Sequence, residues 1–269
     1  MFKALKGIGG ERVFKGVTIS ALALLILFFI GIVASMVSYT DWNTFISALL
    51  SREILFAIRL SLTTATIATI ISILIAIPVA YAISQTEFPG KSIVDSLLDL
   101  PIVISPVALG AALLVFFNTP VGAGIDAHII KFVFAVPGIV LAQITVISAL
   151  AIRLLKSTFD SIDPRYEQVG RTLGCSKSEA FLRVTLPLAK DGLIASGILT
   201  WARAIGEFGA TITLAGATVM KTETLPIAIF LSLASADIEK AIAVIFVLII
   251  IAVVALIVMR KIIGRRYII

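Results

Sequence analysis

Five stretches of this 269-residue chain carry no charged side chain: 16–40, 60–86, 100–125, 132–152 and 241–259. A helix of about 20 apolar residues crosses a hydrocarbon core of roughly 30 Å. Inside hydrocarbon every backbone N–H and C=O must be satisfied within its own segment, so these stretches read as helices, not strands. A sixth stretch, 192–220, is long enough but contains Arg203 and Glu207. The sequence thus predicts an all-α integral membrane protein, one transmembrane domain over 1–269. Its six helices should cover about 17–39, 57–84, 97–117, 132–152, 192–215 and 241–259. The third ends near Phe117, because Asn118, Thr119, Pro120, Val121 and Gly122 form a turn-like run.

Composition agrees. Hydrophobic residues make up 59% and charged residues 14%, which excludes a soluble enzyme, a disordered chain and a disulfide scaffold. One cysteine, Cys175, cannot close an intramolecular disulfide, and with one histidine, His128, it makes no metal cage. His128 reads as a surface residue of an external loop. Lys3, Lys6, Arg12 and Lys15 resemble the start of a signal peptide, but the apolar run after them is too long for one. It is read as a retained first span, preceded by a flexible hinge over 7–10.

Lysine and arginine set the orientation. With six spans, both termini and the 153–191 loop share one side, which holds sixteen of the 22 basic residues. The other side holds four: Arg52, Lys131, Lys221 and Lys240. That places the termini and the loop in the cytoplasm. Arg59, at the outer end of span two, snorkels to the interface. The basic residues are split among loops without an aromatic platform, which argues against nucleic-acid binding.

The 153–191 loop, between spans four and five, reads as a helix–Gly–helix platform. Asp163 and Pro164 start a helix over 165–173, and Gly174 stops it. Ser176 and Glu179 form a capping box for a second helix running to about Thr185, which Pro187 ends. Tyr166, Val169 and Leu173 share one face of the first helix; Ala180, Phe181 and Val184 share one of the second. Arg171, Lys177 and Arg183 look outward. Pattern alone leaves two readings: an elbow lying on the membrane, or a docking knob for a soluble partner.

Residues 166–187 resemble the cytoplasmic signature of ABC importer permeases: Glu-Ala-Ala, three residues, Gly, nine residues, Ile, one residue, Leu-Pro. Gly174, Leu186 and Pro187 match in identity and spacing, and Val184 replaces Ile conservatively. Gln168, Val169 and Gly170 stand where the signature has Glu-Ala-Ala, with Glu167 beside them. The resemblance implies a coupling segment of Tyr166, Glu167, Gln168, Val169, Gly170, Leu173, Gly174, Phe181, Val184, Leu186 and Pro187 that docks on an ATPase. It also implies two permease copies on two ATPase subunits, fed by an external binding protein. ATP and Mg would bind the ATPase subunits. This chain has no phosphate loop and no Ser/His/Asp set, so it is expected to hold no cofactor and catalyse nothing itself.

Span five carries a charge pair. Arg203 and Glu207 are four apart, one above the other if the helix is continuous. Either they neutralise each other inside protein or they line a water-filled path. Gly206 and Gly209 allow close helix approach, and Thr211 and Thr213 offer hydroxyls. Residues 202–213, with 222–226, resemble the molybdate branch of oxyanion permeases; sulfate permeases carry a similar Gly-Glu-aromatic-Gly stretch. Pro101 and Pro106 should kink span three and turn it toward the interior, with packing irregularity the alternative. Pro78 should give a milder kink. The external acids Asp41, Glu53, Asp126, Glu223, Asp237 and Glu239 outnumber the external bases. Such a face does not concentrate a dianion, so a permease without a tight site is expected.

The sequence thus reads as the permease subunit of an ABC importer for molybdate or tungstate. A sulfate or thiosulfate permease is the nearest alternative. A self-sufficient channel or secondary transporter comes next, although neither has reason to preform a coupling loop. A membrane enzyme is disfavoured.

Overall fold

The computed structural model describes residues 8–39 and 41–264. Lys3, Lys6, Gly7, Arg265 and Arg266 lie outside them. Every regular element among the described residues is helical. The chain opens with α1 (Ile8–Ser38), then the short α2 (Trp42–Leu49) and the long α3 (Arg52–Gln85). Next come α4 (Lys91–Val103), α5 (Pro106–Phe117), α6 (Pro120–His128) and α7 (Val136–Asp160). The segment between α7 and the fifth window holds α8 (Arg165–Thr172), α9 (Lys177–Ala180), a π-helical turn (Phe181–Thr185) and α10 (Leu186–Leu188). The chain closes with α11 (Lys190–Ile205), α12 (Gly209–Ala215), α13 (Leu225–Ala234) and α14 (Ile238–Gly264).

The six apolar windows are all helical, but they are not six uninterrupted rods. Among the described residues four helices are long and apolar enough to cross a membrane: α1, α3, α7 and α14. The third window is split. α4 and α5 meet at 106°, because Pro106 opens α5 at its first turn and holds Ser105 extended (ψ 134°). Pro106 therefore starts a helix instead of kinking one, and Pro101 sits inside α4. The fifth window is interrupted at 206–208. α5 ends at Phe117 and the chain turns at Asn118 and Thr119, as expected, but Pro120 then starts α6, with Thr119 Oγ1 accepting from the Gly122 N–H (3.2 Å). α7 begins at Val136 and runs to Asp160, so the loop expected from residue 153 opens at Ser161, eight residues later. Gly9 and Gly10 belong to α1, so at those positions the expected hinge is helix.

Small side chains draw α3, α7 and α11 together. Ala76 and Ala80 of α3 meet Ala151, Ile152 and Leu155 of α7. Ala65 and Ala68 meet Ile147 of α7 and Ala204 of α11. In lipid such positions matter because packing, not solvent exclusion, drives helix association. Two polar ties add register. Gln143 Nε2 donates to the Ala204 carbonyl (3.0 Å), and Ser61 Oγ accepts from the Leu225 N–H (2.7 Å), seating α13 on α3. Arg153 near the end of α7 holds α4 through Asp99 and, at 3.6 Å, Asp95. By contrast no residue in the most apolar window of α1 is buried.

Candidate functional site

Local signals build the platform. Asp163 Oδ1 accepts from the Arg165 N–H (2.9 Å) at the start of α8. Gly174 has φ +97°, the left-handed conformation a helix stop of this kind requires. Ser176 Oγ accepts from the Glu179 N–H, and Glu179 Oε2 accepts from the Ser176 N–H (2.9 Å), completing the expected capping box. Acceptance from the Ser176 backbone, then from its hydroxyl, then the Arg183 charge, hold the Glu179 carboxyl below its ordinary pKa. Arg171, Lys177 and Arg183 are exposed, as expected.

The two apolar faces have different fates. Tyr166, Val169 and Leu173 of α8 are exposed at 58%, 57% and 81%, an apolar strip on a helix whose only buried residue is Gly170. The face of the second helix turns inward: Ala180 is buried and Phe181 stacks on Tyr81 of α3 at 4.5 Å. Val184 lies beside Gly170, where an added Cβ would sit 3.3 Å from Val184 Cγ2. Gln168 is exposed. Pro187 does not end the second helix. Lacking an N–H, it leaves the preceding turn free to widen, and the Leu186 N–H bonds to the Phe181 carbonyl five residues back. Leu186 and Pro187 then lead through α10 into α11.

Glu167 lies inward. Tyr81 Oη donates to its Oε1 (2.8 Å) and Oε2 (3.0 Å), and Thr185 Oγ1 donates to Oε2 (2.9 Å). Beside it, Gln168, Arg171, Lys177 and Asp160 line a cleft of about 440 Å³. Sequence reasoning missed Tyr81 and Thr185. The contact joins residues 86 apart, and a tyrosine at the end of a span carries no local sign of its partner.

The fifth span departs most from expectation. α11 stops at Ile205, so Arg203 and Glu207 are not stacked on one continuous helix. They still pair: Arg203 Nη1 lies 2.8 Å from Glu207 Oε2. Glu207 sits in the break and its Oε1 accepts from the Ala210 N–H (3.0 Å), giving α12 an acceptor at its start. The pair is lopsided, with side-chain exposure of 40% for Arg203 and 1% for Glu207. Gly209 is buried against Pro106 and Val107; an added Cβ would lie 2.9 Å from the Val107 nitrogen. Thr211 is fully buried, and Thr213 Oγ1 donates to the Gly209 carbonyl. Thr211 and Gly209 therefore pack α12 onto its neighbours and face no open path within this chain. Gly206 and Arg203 remain open.

Of the residues expected on the external face, Glu223 is buried and accepts from the Met220 N–H (2.9 Å), while Lys240 pairs with Glu53. His128 is exposed, at the last turn of α6 and not in a loop, and Arg59 is exposed on α3. A groove of about 700 Å³ between α3, α11 and α14, with Ile70, Ile198 and Val254 among its walls, is apolar and offers nothing to an anion. Among the described residues no cluster could hold a metal.

The family model described as "Binding-protein-dependent transport system inner membrane component" matches residues 72–268. The chain belongs to this family. A probable molybdenum ABC transporter permease protein of Haloferax volcanii is 34% identical over 89% of this chain and 87% of its own length. The sulfate transport system permease protein CysW of Synechococcus elongatus is also 34% identical, over 84% and 82%. The molybdate/tungstate transport system permease protein WtpB of Thermococcus kodakarensis is 36% identical over 65% and 67%. In fold, the chain matches a bacterial alginate ABC transporter crystallised with an alginate pentasaccharide-bound periplasmic protein. That likeness has a TM-score of 0.74, 18% identity, and coverage of 97% and 96%. The chain is thus a multi-pass membrane permease of the ABC importer class.

Proposed function

We propose that the chain forms the membrane pathway of an ATP-driven importer of molybdate or tungstate. Two copies, each a single permease domain, sit on two ATPase subunits that bind ATP and Mg. An external binding protein delivers the anion. Both termini lie in the cytoplasm of a cell whose inner or plasma membrane holds the complex. The observation that carries the ATPase partner is the exposed strip Tyr166, Val169 and Leu173 on an otherwise polar helix. An elbow resting on lipid needs no capped, Gly-stopped helix pair behind it. Gln168, Gly170, Gly174, Phe181, Val184, Leu186 and Pro187 shape that platform and do not all touch the partner.

In the pathway, Arg203 is the half-exposed cation beside the break, positioned by buried Glu207. Pro106 shapes the same region by opening α5 against Gly209. The molybdate reading rests on relatives named for molybdate and tungstate. The sulfate reading has a specific support, CysW at equal identity. Uptake by vesicles containing permease, ATPase and binding protein separates the two. Molybdate uptake blocked by tungstate but untouched by excess sulfate is expected; the reverse pattern assigns sulfate. Calorimetry on the permease alone should show weak molybdate binding, since Arg203 is already neutralised. A sub-micromolar dissociation constant would place a tight site within the spans.

A further inference from the structure

Docking explains the outer face of α8 but not its inner one. No apolar side chain of α8 is buried; only Gly170 is. Beyond its chain connections and the packing of Gly170 on Val184 and Ala180, α8 is held to the body by the hydrogen bonds of the Glu167 carboxylate to its two hydroxyl donors. Tyr81, on the last turns of α3, cannot follow α8 freely. Its ring is wedged between Phe159 of α7, at 5.9 Å, and Phe181 of the π turn, at 4.5 Å. Thr185 ends the π turn and is buried. Hydrogen bonds to a carboxylate are short, directional and stronger than neutral ones. They fix register where an apolar contact slides.

We infer that the Glu167 carboxylate is a tie that carries displacement of α8 to the cytoplasmic end of α3 through Tyr81 and to the π turn through Thr185. Glu167 is thus a positioning residue, acting through its partners and touching neither substrate nor nucleotide. The inference rests on the coupling role proposed for α8, and goes beyond it by naming where the motion enters the spans.

The test uses full-length permease reconstituted with its ATPase and binding protein, with molybdate as the probe. Tyr81→Phe keeps the wedged ring and removes one donor; Thr185→Val removes the other. Each should lower molybdate transported per ATP hydrolysed, and the double variant should lower it about tenfold. Co-purification of the ATPase and the thermal midpoint should stay at wild-type values. Amide exchange across Arg165–Thr172 should rise in Tyr81→Phe even in the isolated permease, a readout independent of the partner. A double variant with wild-type stoichiometry of transport to hydrolysis overturns the tie. Loss of ATPase association in that variant also overturns it, because Glu167 would then serve docking. Failure of the wild-type chain to hold an ATPase refutes the docking reading itself.

Discussion

Gly174 and Gly206 both end a helix, yet the chain uses them differently. Gly174 has φ +97° with nothing within 4 Å of where a Cβ would stand, so its only demand is conformational. Gly206 has φ −82°, which any residue adopts, and an added Cβ would meet only ordinary contacts, the Ala202 and Arg203 carbonyl oxygens at 3.9 Å. The helix ends there for reasons outside Gly206. Glu207 turns back to the Ala210 N–H, and Gly209 must seat on Pro106 and Val107. One stop is written in a residue; the other is imposed by packing.

Four measurements test that contrast. The largest effect is expected at the charge pair. Arg203→Ala strands Glu207, a carboxylate 1% exposed, and should cost about 3–5 kcal/mol in detergent unfolding. Glu207→Ala leaves a half-exposed arginine and a bare Ala210 N–H, so it should cost less, about 1–3 kcal/mol. Equal losses would mean the pair is not lopsided. Next, Gly209→Ala should cost about 1–3 kcal/mol by overpacking α12 on α5, while Gly206→Ala changes stability little. A stable Gly209→Ala variant would show that α5 and α12 slide freely.

The third measurement concerns the platform. Gly174→Val should destabilise the turn by about 1–2 kcal/mol and abolish transport and ATPase association while membrane insertion persists. Gly174→Asn should keep much of both, because asparagine visits the left-handed region and no neighbour obstructs it. Asparagine failing as badly as valine would refute a purely conformational role. The smallest effect is at Glu179. Its folded pKa is lowered, so its cap is fully formed above the ordinary carboxylate range and is lost as pH falls through the lowered value. Protection of the α9 amides, relative to their intrinsic exchange rates, should fall on acidification, and Glu179→Gln should flatten that profile.

The same contrast decides what the sequence disclosed. The apolar windows, the Gly174 stop and the Ser176–Glu179 box are local, and each appears where expected. Pro106 announced a kink in the third window but not a full break at Ser105, and the break at 206–208 was hidden inside its window. Hydropathy reports a residue's solvent but not whether the helix around it is continuous. α2 and α13 were missed because both are too short to register as spans. Pro187 misled for a related reason: a proline is a stop only if the turn before it cannot widen. The Tyr81–Glu167–Thr185 contact is tertiary, and its only sequence trace is an acid lying beside, not at, the motif position.

That widened turn has a mechanical consequence. From the Ser176 cap to Gly206 the backbone is an almost unbroken hydrogen-bonded column. The Leu186 N–H reaches Phe181, Ala189 reaches Thr185 at 2.9 Å, and Leu193 reaches Ala189 at 2.9 Å. At about 1.5 Å per residue the column is roughly 40 Å long. A loop at Pro187 would act as slack, absorbing a push at one end before the other end felt it. The column has little backlash, so, on the docking role proposed for the platform, a step taken at Lys177 would arrive at the Arg203–Glu207 break as a step.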